Sequence, residues 1–248
     1  MKRFIFSAII LAGLSAMFSN GTLAETRYDI RAGLNIGGIA PLPLPVEIRE
    51  ISGFNPLLLP AVEFGATTFF NDTRWGFRAA VRIEQKGMRT SARVKNYSML
   101  MEGDDGNSLS GRWTGHVDTH ARNTVLTIPF TASLRASDKF HVYFGPFLSI
   151  LLNGQFDGQV YDGYLREGSP VGEKIVFENG ATASYDFADK YKRINYGLSL
   201  SADCHMTENW LLSLGLDWGL NHVFKDSFRT ITFNMYPIFG HLSVGYRL

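Results

Sequence analysis

From residue 28 onward, apolar side chains occupy every second position in one segment after another. Tyr28, Ile30, Ala32, Leu34 and Ile36 alternate with Asp29, Arg31, Gly33, Asn35 and Gly37. A period of two puts one set on each face of a strand, and about ten residues cross a hydrocarbon core when the strand is tilted. The pattern returns at 62–70, 75–84, 126–134, 140–150, 194–202, 210–218 and 242–248. Eight strands are predicted. Pro129 and Pro146 fall inside two of them and mark local breaks, because proline has no N–H to give to a ladder.

The two faces can be told apart. One carries Asp29, Arg31, Glu63, Arg78, Arg82, Glu84, Arg193, Asp203, Asp217 and Arg247, both signs mixed with Gly and Ser. A soluble barrel would turn that face to water. The opposite face argues otherwise. It carries Tyr28, Phe70, Trp75, Phe140, Trp210 and Tyr246, all at the strand ends next to short connections. Aromatics gathered at one height form the girdle of a membrane interface. With lipid outside, an Arg or Lys on the lipid face would cost about 2–4 kcal/mol at the midplane. Several such terms would exceed the stability of a typical fold, about 5–15 kcal/mol. The charges are therefore expected inside, paired within a narrow lumen. In this register Glu63 faces Arg82, and Asp29 meets Arg247 where the first and last strands join.

Connections at 71–74, 135–139 and 205–208 are short, while 39–59, 87–122 and 153–190 are long and rich in Gly, Ser, Asn or Pro. A connection of intermediate length spans 221–236. The prediction is an all-β fold, an eight-stranded antiparallel up-and-down transmembrane β-barrel with short periplasmic turns and long extracellular loops. An even count puts both termini on the periplasmic side, with no separate periplasmic domain expected.

The N-terminus fits export. Lys2 and Arg3 precede an apolar run over 4–18, and Thr22-Leu23-Ala24 offers small residues for cleavage. Residues 1–24 are read as a signal peptide and 25–248 as the barrel domain. Losing Lys2 and Arg3 takes the formal charge from +1 to −1, which gives no electrostatic case for nucleic acid. The single Cys204 makes no internal disulfide. Aromatics at 13%, 25 glycines and only 19% charged residues suit a membrane barrel.

Several segments resemble the PorT-like outer-membrane β-barrel proteins of Bacteroidota. Gly76-Phe77-Arg78 through Ile83-Glu84-Gln85-Lys86-Gly87 is similar to that family's strand ending in Gln-Lys-Gly. Ala32-Gly33-Leu34-Asn35-Ile36-Gly37, Leu126-Thr127-Ile128-Pro129-Phe130, Val142-Tyr143-Phe144-Gly145-Pro146-Phe147 and the ending Ser243-Val244-Gly245-Tyr246-Arg247-Leu248 follow in the family's order. This chain ends in Leu where the family usually ends in Phe. The resemblance implies an eight-stranded outer-membrane barrel and supplies no catalytic activity.

Three constellations could carry chemistry. The interior charges could line an ion path, but eight strands enclose little beyond their own side chains, so a structural plug is the expectation. His116-Val117-Asp118-Thr119-His120 puts three potential ligands on one strand face, either a divalent site or a polar strand extension. The extension is preferred, and no metal and no cofactor are expected. Pro41, Pro43 and Pro45 alternate with Leu42, Leu44 and Val46, followed by Leu57-Leu58-Leu59. Such a loop either docks an envelope protein or folds over the barrel mouth.

The functional expectation is a non-enzymatic envelope component acting through its external loops, with outer-membrane lipid and an envelope protein as partners. The alternatives are a lipid A or phospholipid acyl hydrolase or transferase, or a narrow pore. His141 near the periplasmic end and Ser108, Ser110, His116 and His120 in a loop form no recognisable nucleophile–base arrangement.

Overall fold

The computed structural model describes residues 23–71, 73–102 and 108–248. The leader expected over 1–24 lies, up to residue 22, outside the described residues. The strands are β1 (Leu23–Pro41), β2 (Ile48–Pro56), β3 (Leu59–Phe70), β4 (Trp75–Glu102), β5 (Ser108–Arg135), β6 (Phe140–Glu167), β7 (Lys174–Asp186), β8 (Ile194–His205), β9 (Trp210–Gly219) and β10 (Met235–Arg247). One short 3-10 turn, Ala188–Lys190, precedes β8.

Eight of these strands close a ring in chain order: β1, β3, β4, β5, β6, β8, β9, β10 and back to β1, each pair antiparallel. This is the expected up-and-down barrel. Asp29 lies opposite Arg247 at the closing pair, and Glu63 lies opposite Arg82. The β4–β5 ladder lapses beside Pro129, and the β5–β6 ladder lapses beside Pro146. A missing N–H at each proline accounts for both gaps.

The long connections differ from the expectation. Instead of loops rich in turns, 87–122 continues β4 and β5 as one tall hairpin, and 153–190 continues β6 and adds β7. The stretch over 39–59 holds β2, which pairs along β4 from Val94 down to Met88. β4, β5 and β6 have 28 residues each, roughly 90 Å at ~3.3 Å per residue. That is far more than a bilayer needs. The apolar alternation swaps faces part-way up these strands, so a search for one continuous apolar stripe stops at the swap.

Outside, the lower part of the barrel shows a belt of exposed apolar residues from the rim at Tyr28, Trp75 and Trp210 up to Ile36, Ile83 and Trp218. Inside, two storeys differ. Level with the belt the interior is polar and charged. Above it lies an apolar core that includes Met99, Met101, Trp113, Val160, Leu165 and Phe187. Trp113 is wholly buried and meets Phe177 edge-on at 5.2 Å between ring centroids.

Candidate functional site

The alternation sends Asp29, Arg31, Glu63, Arg78, Arg82, Glu84, Asp203 and Asp217 into the lumen, where all eight are buried. Arg31 bridges the barrel from β1 to β8. Its Nη1 and Nη2 each donate to an Asp203 oxygen at 2.8 Å, and its Nε donates to Asp29 at 2.7 Å. Arg78 donates to both Asp29 oxygens, at 2.5 and 2.8 Å, and to Glu63 at 2.7 Å. Arg82 donates to Glu63 at 3.4 Å and to Asp217, and its Nε lies 3.2 Å from Glu84. The expected Glu63–Arg82 pair is thus one contact in a continuous lattice.

Sequence reasoning missed several members of this lattice. Lys86 pairs with Glu84 at 2.8 Å and with Asp217 at 3.3 Å. Asn35 and Thr127 donate to Glu84 at 2.9 and 2.6 Å, and Ser199 donates to Asp217 at 2.8 Å. Asn35, Lys86 and Ser199 share the parity of the charges on their own strands, which was the available signal; Thr127 sits on β5, which carries none of these charges. Tyr143 packs under the Arg31 and Arg78 guanidinium groups at 5.9 and 5.7 Å. Arg31, Arg78, Arg82 and Lys86 therefore face Asp29, Glu63, Glu84, Asp203 and Asp217. The gap left beside Arg31, Arg82 and His241 measures about 30 Å³, room for one or two waters.

Two sequence assignments need correction. Arg193 is exposed, not interior. β8 begins one residue later, and Arg193 sits above the belt, where water solvates it and nothing drives it inward. Arg247 pairs in register with Asp29, but it is only half-buried at the rim. Its guanidinium bonds the Glu208 carbonyl and the His205 ring, each at 3.1 Å.

Tyr28, Phe70, Trp75, Phe140, Trp210 and Tyr246 all point outward and are exposed at the short-turn end of their strands. Trp210 and Tyr246 meet edge-on at 5.1 Å. Tyr196 and Trp218 are also exposed on the outer face, near the upper edge of the belt. They form part of a second aromatic level.

His116, Asp118 and His120 share the outer face of β5, as expected from their spacing, but each turns to β6. His116 stacks on Tyr161 at 5.4 Å, Asp118 accepts from the Tyr161 hydroxyl at 3.5 Å, and His120 Nδ1 lies 3.8 Å from Asp157. Among the described residues no group of three His, Cys, Asp or Glu gathers as a metal site. His141 lies 3.1 Å from His205 and edge-on to Phe69 at the periplasmic rim.

A closed ring with lipid-facing aromatics, an apolar outer belt and a charged interior defines an integral outer-membrane β-barrel. The sequence profile of the outer membrane protein beta-barrel domain matches residues 18–225, and the chain belongs to that family. It is similar to several solved structures. The attachment invasion locus protein Ail of Yersinia pestis, in complex with the heparin analogue sucrose octasulfate, is 12% identical over 91% of this chain and 100% of that one, with a TM-score of 0.39. Neisserial surface protein A is 13% identical over 92% and 99% of the two chains, TM-score 0.33. OprG of Pseudomonas aeruginosa is 11% identical over 92% and 98%, TM-score 0.30. No curated protein matches the sequence.

Proposed function

We propose that this protein is a non-enzymatic envelope component whose barrel is a plugged anchor and whose external β-extension makes the functional contacts. The filled lumen carries the reading. Four cations and five carboxylates interlock across it and leave about 30 Å³ beside Arg31 and Arg82. Breaking such pairs to pass an ion would strand buried charge. A signal peptide cleaved after Ala24 takes the chain across the inner membrane, and the apolar belt of the barrel then suits it to the outer membrane. The ordered Gln85-Lys86-Gly87, Ile128-Pro129, Gly145-Pro146 and Gly245-Tyr246-Arg247 elements support a place near the PorT-like proteins of Bacteroidota.

An external protein partner is supported by Leu42, Leu44, Val46 and Leu58, all exposed beside β2. Planar-bilayer recording on the purified barrel tests the plug: silent membranes are expected, and stable ohmic steps would overturn it. Removing residues 42–47 tests the partner contact. The barrel should still assemble while envelope cross-links disappear; unchanged cross-links would move the contact elsewhere.

A further inference from the structure

The barrel wall has a seam just above the belt. β1 pairs with β3 only as far as Asn35 opposite Leu59. Above that level β1 continues through Pro41 with β10 on its other side, while β4 continues with β2. Among the described residues β2 has its ladder with β4, and none joins β2 to β1. The Ile39 N–H lies on this stretch of β1 and donates to Met88 Sδ at 3.2 Å, a weak acceptor standing where a strand carbonyl would be.

Between β1 and β2 lies a slot of about 420 Å³, within the range of ~300–1,000 Å³ for small-molecule sites. Gly38, Ile51, Phe54, Met88, Ala92 and Phe156 are among its walls, and no described charged side chain lines it. Its two threonines are engaged elsewhere. Thr90 donates to the Gly53 carbonyl at 2.9 Å, and the Thr119 and Tyr185 hydroxyls lie 2.6 Å apart. The Tyr97 hydroxyl is the remaining polar side-chain group in the lining, so a guest with several polar groups would lose more hydration than it regains. Water in a slot walled mainly by apolar side chains finds few hydrogen-bond partners, so an apolar guest displaces it favourably.

Shape and position narrow the guest further. Met88 to Val94 alone run roughly 20 Å along β4 at ~3.4 Å per residue. Val117 and Thr119 of β5 and Phe156 of β6 also line the slot, so the cavity is long enough for an extended chain and reaches inward from the seam into the upper barrel. Its lower end, at Gly37 and Ile238, adjoins Ile36 at the top of the lipid-facing belt. The slot therefore opens at the external membrane boundary, where an amphiphile holds its chain below and its head in water.

We propose that the seam between β1 and β2 binds a single long alkyl chain of an amphiphile. The proposal holds whether or not the lumen conducts. The test uses the full mature barrel, delipidated and held in amphipol. One probe is cis-parinaric acid, a fluorescent 18-carbon fatty acid; the other is a phosphatidylcholine carrying the same chain. Saturable one-site binding of either supports the proposal. Binding of the free acid alone identifies a dispersed amphiphile, and binding of both identifies membrane lipid.

Two variants fill the slot. A side chain at Gly38 would begin 2.8 Å from Met88 Sδ and 2.9 Å from the Phe54 ring, so Gly38→Leu projects into the mouth. Ala92→Phe fills the middle. Each should weaken binding at least about tenfold, while Leu214→Phe on the lipid belt should leave it unchanged. Heat-modifiable mobility on gels confirms folding. Non-saturable partition into the wild-type barrel, or unchanged affinity in folded filled variants, overturns the proposal. If neither filled variant folds, a Phe54→Trp reporter decides: quenching by a mid-chain brominated fatty acid supports the site, and its absence refutes it.

Discussion

Replacing Arg31 by Met removes the cation that ties β1 to β8 through the centre of the lumen. Asp203, whose side chain is fully buried, then loses two bonds of 2.8 Å, and Asp29 loses two, of 2.7 and 3.4 Å. The interior balance moves from four cations against five carboxylates to three against five. Breaking a buried pair in this way costs about 3–5 kcal/mol, because the remaining charge is left uncompensated. The converse change, Asp203→Asn, should cost less, about 1–3 kcal/mol. Arg31 keeps Asp29 and lies 3.6 Å from Glu63, and the interior becomes balanced at four against four. The double variant Arg31→Met/Asp203→Leu leaves neither charge stranded and should fall within about 2 kcal/mol of wild type. Urea unfolding in lipid vesicles, followed by tryptophan fluorescence and extrapolated at constant slope, measures all three. A double variant that costs the sum of the singles would show no coupling and refute the lattice argument. So would an Arg31→Met cost below about 1 kcal/mol.

Other consequences are simpler to test. Arg193→Ala should change stability by less than about 0.5 kcal/mol in the same assay, since Arg193 is exposed above the belt. A loss like that of Arg31→Met would return it to the interior. Leu214→Arg, in the outward face of β9, should cost about 2–4 kcal/mol, and a neutral result would mean that this face does not meet lipid. In the external core, burial raises the phenol pKa values of Tyr97, Tyr185 and Tyr191. A pKa raised on folding gives stability that is full below the unfolded value of ~10 and is lost as pH climbs above it. Ultraviolet titration should therefore show slow or delayed ionisation of these phenols, coupled to loosening of the extension above pH ~10. Free ionisation at the ordinary value would refute their burial.

The membrane part of this fold was legible because bilayer and lumen impose opposite demands on adjacent residues. Trp75, Phe77, Ala79, Val81 and Ile83 against Gly76, Arg78, Ala80, Arg82 and Glu84 fix a strand, its faces and its register with β3 in a single segment. The Glu63–Arg82 pairing followed from the short turn alone. The lattice beyond pairs was not legible, because Arg31 reaches Asp203 across 172 positions of sequence and only the closed ring brings β1 and β8 across from one another. Arg193 kept the parity of its strand yet lay one residue beyond it, where parity no longer decides burial. The seam was invisible too, since it depends on where β3 starts relative to β1, which a strand-by-strand reading does not compare.

The inversion of the tall strands explains both the missed extension and the place of the slot. On β4 the outward, odd positions are apolar up to Ile83 and turn polar above it at Arg89, Ser91 and Arg93, while the inward, even positions change from Arg78, Arg82, Glu84 and Lys86 to Met88, Ala92 and Val94. The strand has not shifted; the solvent has. Lipid outside forces polar groups inward, and water outside releases them, so the hydrophobic effect then fills the interior with apolar side chains. β5 makes the same exchange between Thr127 and Val117, and β6 makes it with an extra residue near Leu152 that resets its parity before Phe156. The level of exchange on β4 is where β3 has ended its neighbourhood and β2 takes over. An apolar interior begins there beside an apolar exterior, separated by a wall with a seam. A continuous apolar path from the belt into the core arises only at such a level, and that is where the alkyl-chain slot lies.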